Sequence, residues 1–435
     1  MSKQEGNMKW WQLSLFGVGC TIGTGFFLGS SIGIRLGGPA ILLAFIFAGL
    51  TTYIVFDALA KMTAQDPQKG SFRSYGKKAF GHWAGFTIGW VYWASEILIM
   101  GSQLTALSIF TQFWFPNISM WIFAAIYAVL GLLVLLAGSK RLSKLENVFA
   151  IIKTAAIVMF IFIAGAFILG FIDYSSEIYL PKTINDFFPN QMLGVWSSFI
   201  FALYAFGGIE IMGLMAMELK DPKEAPKAGK VMIFTLVTIY VISLGLALLF
   251  MNSFSTEESP FVEVLNKLGL PFFTHVLNGA LVIAGFSTMV ASLFGVASIL
   301  RSLAEDGDAP AFFAKDGRLA IPYPSLTLLV IGLLISIFMA LLLPDKIYEY
   351  VTTGASLMLI YNWLFIILSA RRLLKKSTVD RLKFTIGIIL VLLGVSGTLF
   401  HAASRPGFLI SLGFVVVIGI VTIIMSKRWK FQRRG

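Results

Sequence analysis

Charged residues are scarce in this 435-residue chain, where they make up 13% of the sequence while 57% is hydrophobic. Soluble proteins average about 25% charged residues, so the supply is too small to cover a water-facing surface. A single cysteine, Cys20, excludes an internal disulfide framework. Three scattered histidines form no cluster with metal-ligand spacing, so we expect no metal and no other cofactor. The composition is that of a membrane protein.

Apolar runs of about 20 residues, the length that crosses a bilayer as a helix, recur along the whole chain. They predict an all-α polytopic membrane protein in which residues 1–426 form one transmembrane domain and residues 427–435 a basic cytoplasmic tail. No cleavable signal peptide is evident. The twelve predicted spans are approximately 12–34, 39–60, 84–108, 118–138, 147–171, 193–217, 231–252, 272–300, 323–343, 347–369, 383–401 and 407–426.

The 34 lysines and arginines fall mostly in alternate loops between these spans. Lys153 lies within the fifth span, and five others fall on the opposite side: Arg35, Lys182, Lys267, Lys346 and Arg405. By the positive-inside rule, both termini are predicted to be cytoplasmic. The net charge of +12 then sets orientation in a cell membrane, and we expect no nucleic-acid partner.

Glycines interrupt the first and the sixth spans. Gly23 and Gly25 flank Thr24 in the first span, and Gly207 and Gly208 are adjacent in the sixth. Glycine costs about 1 kcal/mol against alanine inside a helix, so these are the easiest places for the chain to unwind. Small residues also let helices pack closely, but paired interruptions in two five-span halves indicate the binding site of an inverted-repeat transporter.

Two facing breaks suit a ligand with charges of both signs. The amide groups at the start of a half-helix favour a carboxylate, and unwound carbonyl groups accept hydrogen bonds from an ammonium. A free amino acid carries both groups on one carbon. The glycines therefore predict amino-acid binding.

Several ordered motifs resemble the amino acid–polyamine–organocation superfamily of permeases, and the later ones resemble its bacterial amino-acid permease branch. The resemblance runs from about Trp11 to Pro324. The motifs are Thr21–Gly29, Gly38–Ala40, Pro67–Phe72, Gly89–Trp93, Phe206–Glu210, Asp221–Lys223 and Asp306–Pro310.

This resemblance implies a LeuT-like fold of two inverted five-helix repeats, with helices 1 and 6 broken, plus two peripheral helices. The repeats would cover about 12–171 and 193–369, and the peripheral helices 383–426. The implied activity is secondary active transport by alternating access.

The resemblance also implies a substrate site. The amide groups of Thr24 and Gly25, with the Thr21 hydroxyl, would hold the carboxylate, while the carbonyls of Ile22, Tyr204 and Gly207 would meet the ammonium. The Tyr204 ring would act as a gate over the substrate. The full predicted set is Thr21, Ile22, Gly23, Thr24, Gly25, Glu96, Gln103, Tyr204, Phe206, Gly207 and Gly208.

Three ionisable residues lie well within predicted spans: Glu96, Lys153 and Glu210. Each costs at least about 2.5 kcal/mol on insertion scales and therefore suggests a function. Lys153 resembles the lysine that replaces sodium in proton-coupled relatives, so it predicts proton coupling; a permanently charged brace is the alternative. Glu210 is predicted to hold the unwound segment, with a protonation role as the lesser possibility.

Glu96 departs from the family pattern. Many relatives carry an acid at the position of Gln103, whereas the acid here lies seven residues earlier on roughly the same helix face. It either contacts a cationic substrate side chain or carries protons for a neutral substrate, and spacing does not decide between them. Lys61 also stands where relatives have an acid, and it is predicted to pair with Asp57.

These features predict a secondary transporter that imports an L-amino acid by proton symport. Its partners are the amino acid, protons and the lipid bilayer. Exchange, or carriage of a polyamine or cationic amino acid, is the main alternative. A channel lacks support because no acidic ring repeats. An intramembrane enzyme would need a catalytic pair at membrane depth, and none is evident. Neither the particular amino acid nor the oligomeric state is readable.

Overall fold

The computed structural model describes residues 8–68, 70–136, 139–172, 178–251, 253–255, 258–315, 323–342, 347–375, 377–402 and 404–432. Helices dominate these residues, and no strand occurs among them beyond an isolated bridge between Met8 and Leu219. Residues 69, 137, 138, 252, 343, 346 and 433–435, which the sequence assigns to a motif, span ends, a loop and the basic tail, lie outside the described ranges.

Eighteen α-helices follow one another along the described residues. They are α1 (Trp10–Thr21), α2 (Thr24–Phe27), α3 (Gly29–Gly37), α4 (Ile41–Gln65), α5 (Ser71–Phe80), α6 (His82–Gln112), α7 (Met120–Leu136), α8 (Ser139–Ile168), α9 (Ile184–Phe187), α10 (Gln191–Tyr204), α11 (Ile209–Met215), α12 (Ala225–Phe250), α13 (Pro260–Lys267), α14 (Pro271–Glu305), α15 (Tyr323–Leu342), α16 (Ile347–Leu373), α17 (Thr378–Phe400) and α18 (Arg405–Gln432).

Each of the twelve predicted segments lies on one or more of these helices. Among the described residues, nine helical segments are long and apolar enough to cross a membrane, and α7 and part of α15 are shorter apolar helices. Large apolar side chains are exposed along α17 and α18, among them Leu392 and Ile423. Long apolar helices with such exposed faces are typical of membrane spans, so the chain is an integral membrane protein.

Proline and capping side chains set where several helices begin. Proline lies in the first turn of α12, α13 and α14, where its missing N–H group costs no helical hydrogen bond. At α17, Ser377 accepts a hydrogen bond from the Asp380 amide in a capping box. These devices place helix starts in the polar loops between the apolar runs.

The first and sixth predicted spans are both interrupted at the glycines. Helix α1 ends at Thr21, and Gly23 is extended before α2 begins at Thr24. Helix α10 ends at Tyr204 and α11 begins at Ile209, after Gly208 adopts the left-handed conformation with φ +107°. L-residues other than glycine rarely adopt that conformation, which explains why the second break ends at this residue.

The two broken helices run in opposite directions past each other. At one end, the amide of Met8, just before α1, donates to the Glu218 carbonyl after α11 at 2.9 Å. At the other end, the Asn190 side chain before α10 donates to the Leu36 carbonyl in α3 at 2.9 Å. The long helices α6 and α14 pack against each other, as do α4 and α12. The two breaks therefore meet inside the helix bundle.

The predicted pair of Asp57 and Lys61 is confirmed, with an N–O distance of 2.9 Å. Lys61 also contacts Asp380 at 2.8 Å, and Lys383 contacts Asp57 at 2.7 Å. The sequence did not indicate the last two residues, because they lie on α17, more than 300 positions away. The four charges join α4 to α17 and have a structural role.

Candidate functional site

A small cavity lies between the two helix breaks. The space open to the centre of a water molecule is about 30 Å³, enough for roughly two waters. Its walls come from α1, α2, α6, α10, α11, α14 and the break segments. The lining residues are Cys20, Thr21, Gly23, Thr24, Gly25, Glu96, Ile99, Gln103, Tyr204, Gly207, Gly208, Ile211, Thr288 and Ser292.

The first break presents hydrogen-bond donors to this cavity. The amides of Phe26 and Phe27 both donate to the Gly23 carbonyl, which closes the first turn of α2. Among the described residues, the amides of Thr24 and Gly25 donate to no acceptor. Unpaired amides at a helix start favour an anionic group, so this wall can bind a carboxylate.

The second break lies directly on the first. A Cβ atom at Gly208 would lie 2.8 Å from the Cys20 carbonyl oxygen, and a Cβ atom at Gly25 would lie 2.8 Å from the Tyr204 ring. The Gly207 amide donates to the Tyr204 carbonyl at 2.9 Å. Only residues without side chains permit such close approach of the two segments.

Nine of the eleven predicted substrate-binding residues line the cavity, and Ile22 and Phe206 do not. Ile22 is fully buried in the hydrophobic core. The Phe206 ring contacts Tyr240 at 5.2 Å between ring centres. These two side chains face away because the core behind each break needs apolar volume. The structure adds Cys20, Ile99, Ile211, Thr288 and Ser292 to the lining.

Three tyrosine hydroxyl groups form hydrogen bonds that connect the interrupted segments to neighbouring helices. The Tyr204 hydroxyl hydrogen-bonds to the Ser102 hydroxyl at 2.5 Å, the Tyr348 hydroxyl donates to the Thr24 carbonyl at 2.9 Å, and the Tyr240 hydroxyl donates to the Ala205 carbonyl at 3.1 Å. Tyr240 and Tyr348 have no local sequence signal, because their partners lie 35 and 324 positions away. Tyr204 joins the second break to α6 across the cavity.

The two buried acids beside the breaks have different surroundings. Glu210 accepts hydrogen bonds on both oxygens, from the Gly208 amide at 3.1 Å and from the indole N–H of Trp363. These two hydrogen bonds connect the end of the unwound segment to α16 through the Glu210 carboxylate. Glu96 is 1% exposed, lines the cavity, and leaves Oε2 without a hydrogen-bond partner.

Lys153 lies behind the cavity and does not line it. Its ammonium donates to the Gly19 carbonyl of α1, one turn before the first break. Glu146, seven residues earlier on α8, is also fully buried and accepts a hydrogen bond from the Ser287 hydroxyl of α14 at 2.6 Å. The sequence missed this acid because α8 begins at Ser139 and not near position 147. Together the two side chains connect α8 to both α1 and α14.

Comparison with known proteins decides what kind of molecule contains this cavity. The sequence profile of the amino acid permease family matches residues 12–426. The chain belongs to the amino acid permease family. It is a transporter and not an enzyme, as the sequence predicted, and the resemblance to this superfamily is confirmed.

Similar proteins cover nearly the whole permease. An uncharacterized transporter of Bacillus subtilis, YcgH, is 52% identical over 98% of this chain and 96% of its own length. The aromatic amino acid transport protein AroP of Corynebacterium glutamicum is 32% identical, covering 94% of each chain. The L-asparagine permease of Escherichia coli is 31% identical over 84% of this chain and 74% of its own.

The position of Cys20 permits a direct test of the cavity. Cys20 is the single cysteine of the permease, is 4% exposed and lines the cavity. We expect a small methanethiosulfonate reagent to label it slowly, and saturating transported amino acid to slow labelling further because both compete for one space. Mass measurement of the intact protein reports the labelling, with Cys20→Ala as the unlabelled control. A labelling rate that no substrate changes would place the binding site elsewhere.

Proposed function

We propose that this permease imports an L-amino acid by alternating access, driven by proton symport, across a cell membrane in which both termini are cytoplasmic. The observation that carries the proposal is the small cavity between two helix breaks. On one side it has the unpaired amides of Thr24 and Gly25. On the other side lies the unwound Tyr204–Gly208 segment, so the two sides match the two charges of an amino acid.

Twelve spans in two inverted five-helix repeats, with two peripheral helices, are part of the proposal. Four observations support them: all twelve segments are helical, the two broken helices run antiparallel, α4 packs on α12, and α6 packs on α14. An inverted repeat brings equivalent helices of its two halves together across its axis. In the proposed arrangement α4 is the equivalent of α12, and α6 is the equivalent of α14.

The cavity is too small for an amino acid in this conformation, which fits a carrier that opens to one side at a time. Binding requires the Tyr204 ring to move, because it contacts Gly25 and is hydrogen-bonded to Ser102. That movement is the gate function which the sequence suggests for Tyr204. A fixed pore would need no such closure.

Lys153 is our candidate for proton coupling. Its ammonium is fully buried and contacts the carbonyl of Gly19, so gain or loss of its proton changes a contact that α1 makes next to the first break. A fixed positive charge at this place leaves no room for a sodium ion. A permanently charged brace would make the same contact, and transport measurements separate the two roles.

We expect a pH gradient alone to drive accumulation of amino acids in proteoliposomes, with a panel of labelled amino acids as substrates. Lys153→Ala should abolish that accumulation and retain counterflow, because substrate exchange needs no net proton movement. Lys267→Ala is the matched control, since Lys267 also donates to a backbone carbonyl, that of Phe250 at 2.7 Å, but lies away from the cavity.

Other outcomes would revise the proposal in defined ways. A requirement for a sodium gradient would refute the role of Lys153. Uptake that depends on amino acid inside the vesicles, and not on the pH gradient, would identify an exchanger. Full activity of Lys153→Ala under a pH gradient would leave Lys153 as a structural brace.

A further inference from the structure

Glu96 and Glu210 are both buried beside the cavity, but only one of them has its carboxylate satisfied by the protein. Glu210 has a donor for each oxygen, from Gly208 and Trp363. Glu96 has the hydroxyl groups of Ser292 and Tyr92 as neighbours, and its Oε2 has no hydrogen-bond partner. The open oxygen belongs to a residue that lines the cavity.

No lysine, arginine or histidine among the described residues forms an ion pair with Glu96. The buried cation of this region, Lys153, contacts the Gly19 carbonyl, and its nearest acid along α8 is Glu146. Of Glu96, Glu146, Lys153 and Glu210, only Glu96 lines the cavity. A buried carboxylate without a counter-ion is unfavourable, and a positive charge on the substrate would stabilise it.

The placement of Glu96 lets it contact a substrate that is bound at the breaks. Gln103 follows Ser102, the residue that bonds Tyr204 beside the second break. Glu96 lies two helical turns before Gln103, about 10 Å along the axis of α6. Both residues line the same small cavity as the two breaks, so a substrate whose α-amino and α-carboxyl groups bind at the breaks can place a side-chain donor against Glu96.

Gln103 adds a second acceptor on this face. Its Oε1 is also buried without a partner, and its side chain lines the cavity. Unlike an acid, an amide can turn to present its N–H₂ group, so Gln103 does not by itself select a charge. Glu96, which can only accept when ionised, sets the preference.

We propose that Glu96 is the specificity-determining residue of the site and that it selects amino acids with a cationic side chain, the class of lysine, ornithine and arginine. This inference rests on the proposed function. A single cavity-facing acid with an open oxygen suits one cationic group, whereas a polyamine would need several separated acids. The named relatives carry aromatic amino acids and L-asparagine, so the proposal separates this permease from them.

The test compares substrates that differ only in charge, in counterflow assays that need no ion gradient. L-Arginine is compared with L-citrulline, its neutral near-isostere, and L-lysine with L-norleucine, which lacks the ammonium. We expect the parent protein to prefer the charged member of each pair by about 30-fold or more, because truncating one partner of a buried charge pair has an effect of that size. In Glu96→Gln the preference, taken as the ratio of arginine to citrulline counterflow, should fall to within about threefold.

Each possible result of these assays supports or overturns a specific part of the proposal. Transport of neutral amino acids with no preference for arginine over citrulline overturns this inference and leaves amino-acid transport intact. A charge preference that persists in Glu96→Gln assigns selectivity to another residue. Counterflow of no amino acid contradicts the proposed function itself. If Glu96→Gln fails to fold, competition between arginine and citrulline in the parent protein still tests the substrate class.

Discussion

Replacing Gly208 with alanine is expected to reduce amino-acid transport at least tenfold. Gly208 has φ +107°, and the left-handed conformation costs an L-residue about 1–2 kcal/mol. The added methyl group would also lie 2.8 Å from the Cys20 carbonyl oxygen and 3.2 Å from its carbon. Both are backbone atoms of the other broken helix, so no flexible side chain can move aside. The two breaks would have to separate.

The measurement is counterflow of a transported amino acid, normalised to the amount of folded protein. Gly165→Ala is the matched control, because a Cβ atom at Gly165 meets nothing within 4 Å and the residue lies inside α8. Alanine there should preserve transport and leave stability equal or higher. Normal transport by Gly208→Ala would show that close contact between the breaks is dispensable.

Sequence reasoning located the breaks because their cause is local. Glycines weaken an otherwise apolar helix whatever its position in the fold. The nine correctly placed cavity residues lie in the two break segments and on one face of α6. The sequence did not distinguish Gly207 from Gly208. Only the structure shows that Gly208 carries the left-handed conformation and lies on the Cys20 backbone.

The missed contacts are those between residues far apart in the chain. Trp363 donates to Glu210 across 153 positions, and Ser287 donates to Glu146 across 141. Hydropathy and glycine spacing carry no information about which helices become neighbours. Side-chain orientation was equally unreadable at Phe206, which lies at the second break but packs its ring against Tyr240.

A buried arginine beyond the cavity was also not predicted. Arg73 on α5 is fully buried and bonds Asp308 at 2.6 Å and Asp306 at 2.7 Å, in the turn after α14. His82 at the start of α6 contacts Asp308, and its ring stacks on Trp429 of α18 at 4.1 Å. The sequence predicts that all of these residues lie at the cytoplasmic end of the helices. The charges at that end indicated how the chain is oriented in the membrane, and they did not indicate which residues contact one another.

The cations of this cluster lower the pKa of Asp306. Partial burial of Asp306 acts to raise its pKa, but hydrogen bonds from Lys77 and Arg73 outweigh it and lower the pKa below the ordinary value of 3.8. The stabilisation is therefore present at neutral pH and is lost as the pH falls through the lowered pKa.

Arg73→Ala is expected to destabilise the permease by about 3–5 kcal/mol, because it leaves the buried Asp308 carboxylate without its cation. Thermal unfolding in detergent measures the loss, and Lys78→Ala, which removes an exposed partner of Asp66, should change stability by less than about 1 kcal/mol. The double variant Arg73→Ala with Asp308→Asn should recover part of the stability, since it removes the unpaired charge while leaving the same cavity. No recovery in the double variant would attribute the loss to packing of the arginine side chain and not to its charge.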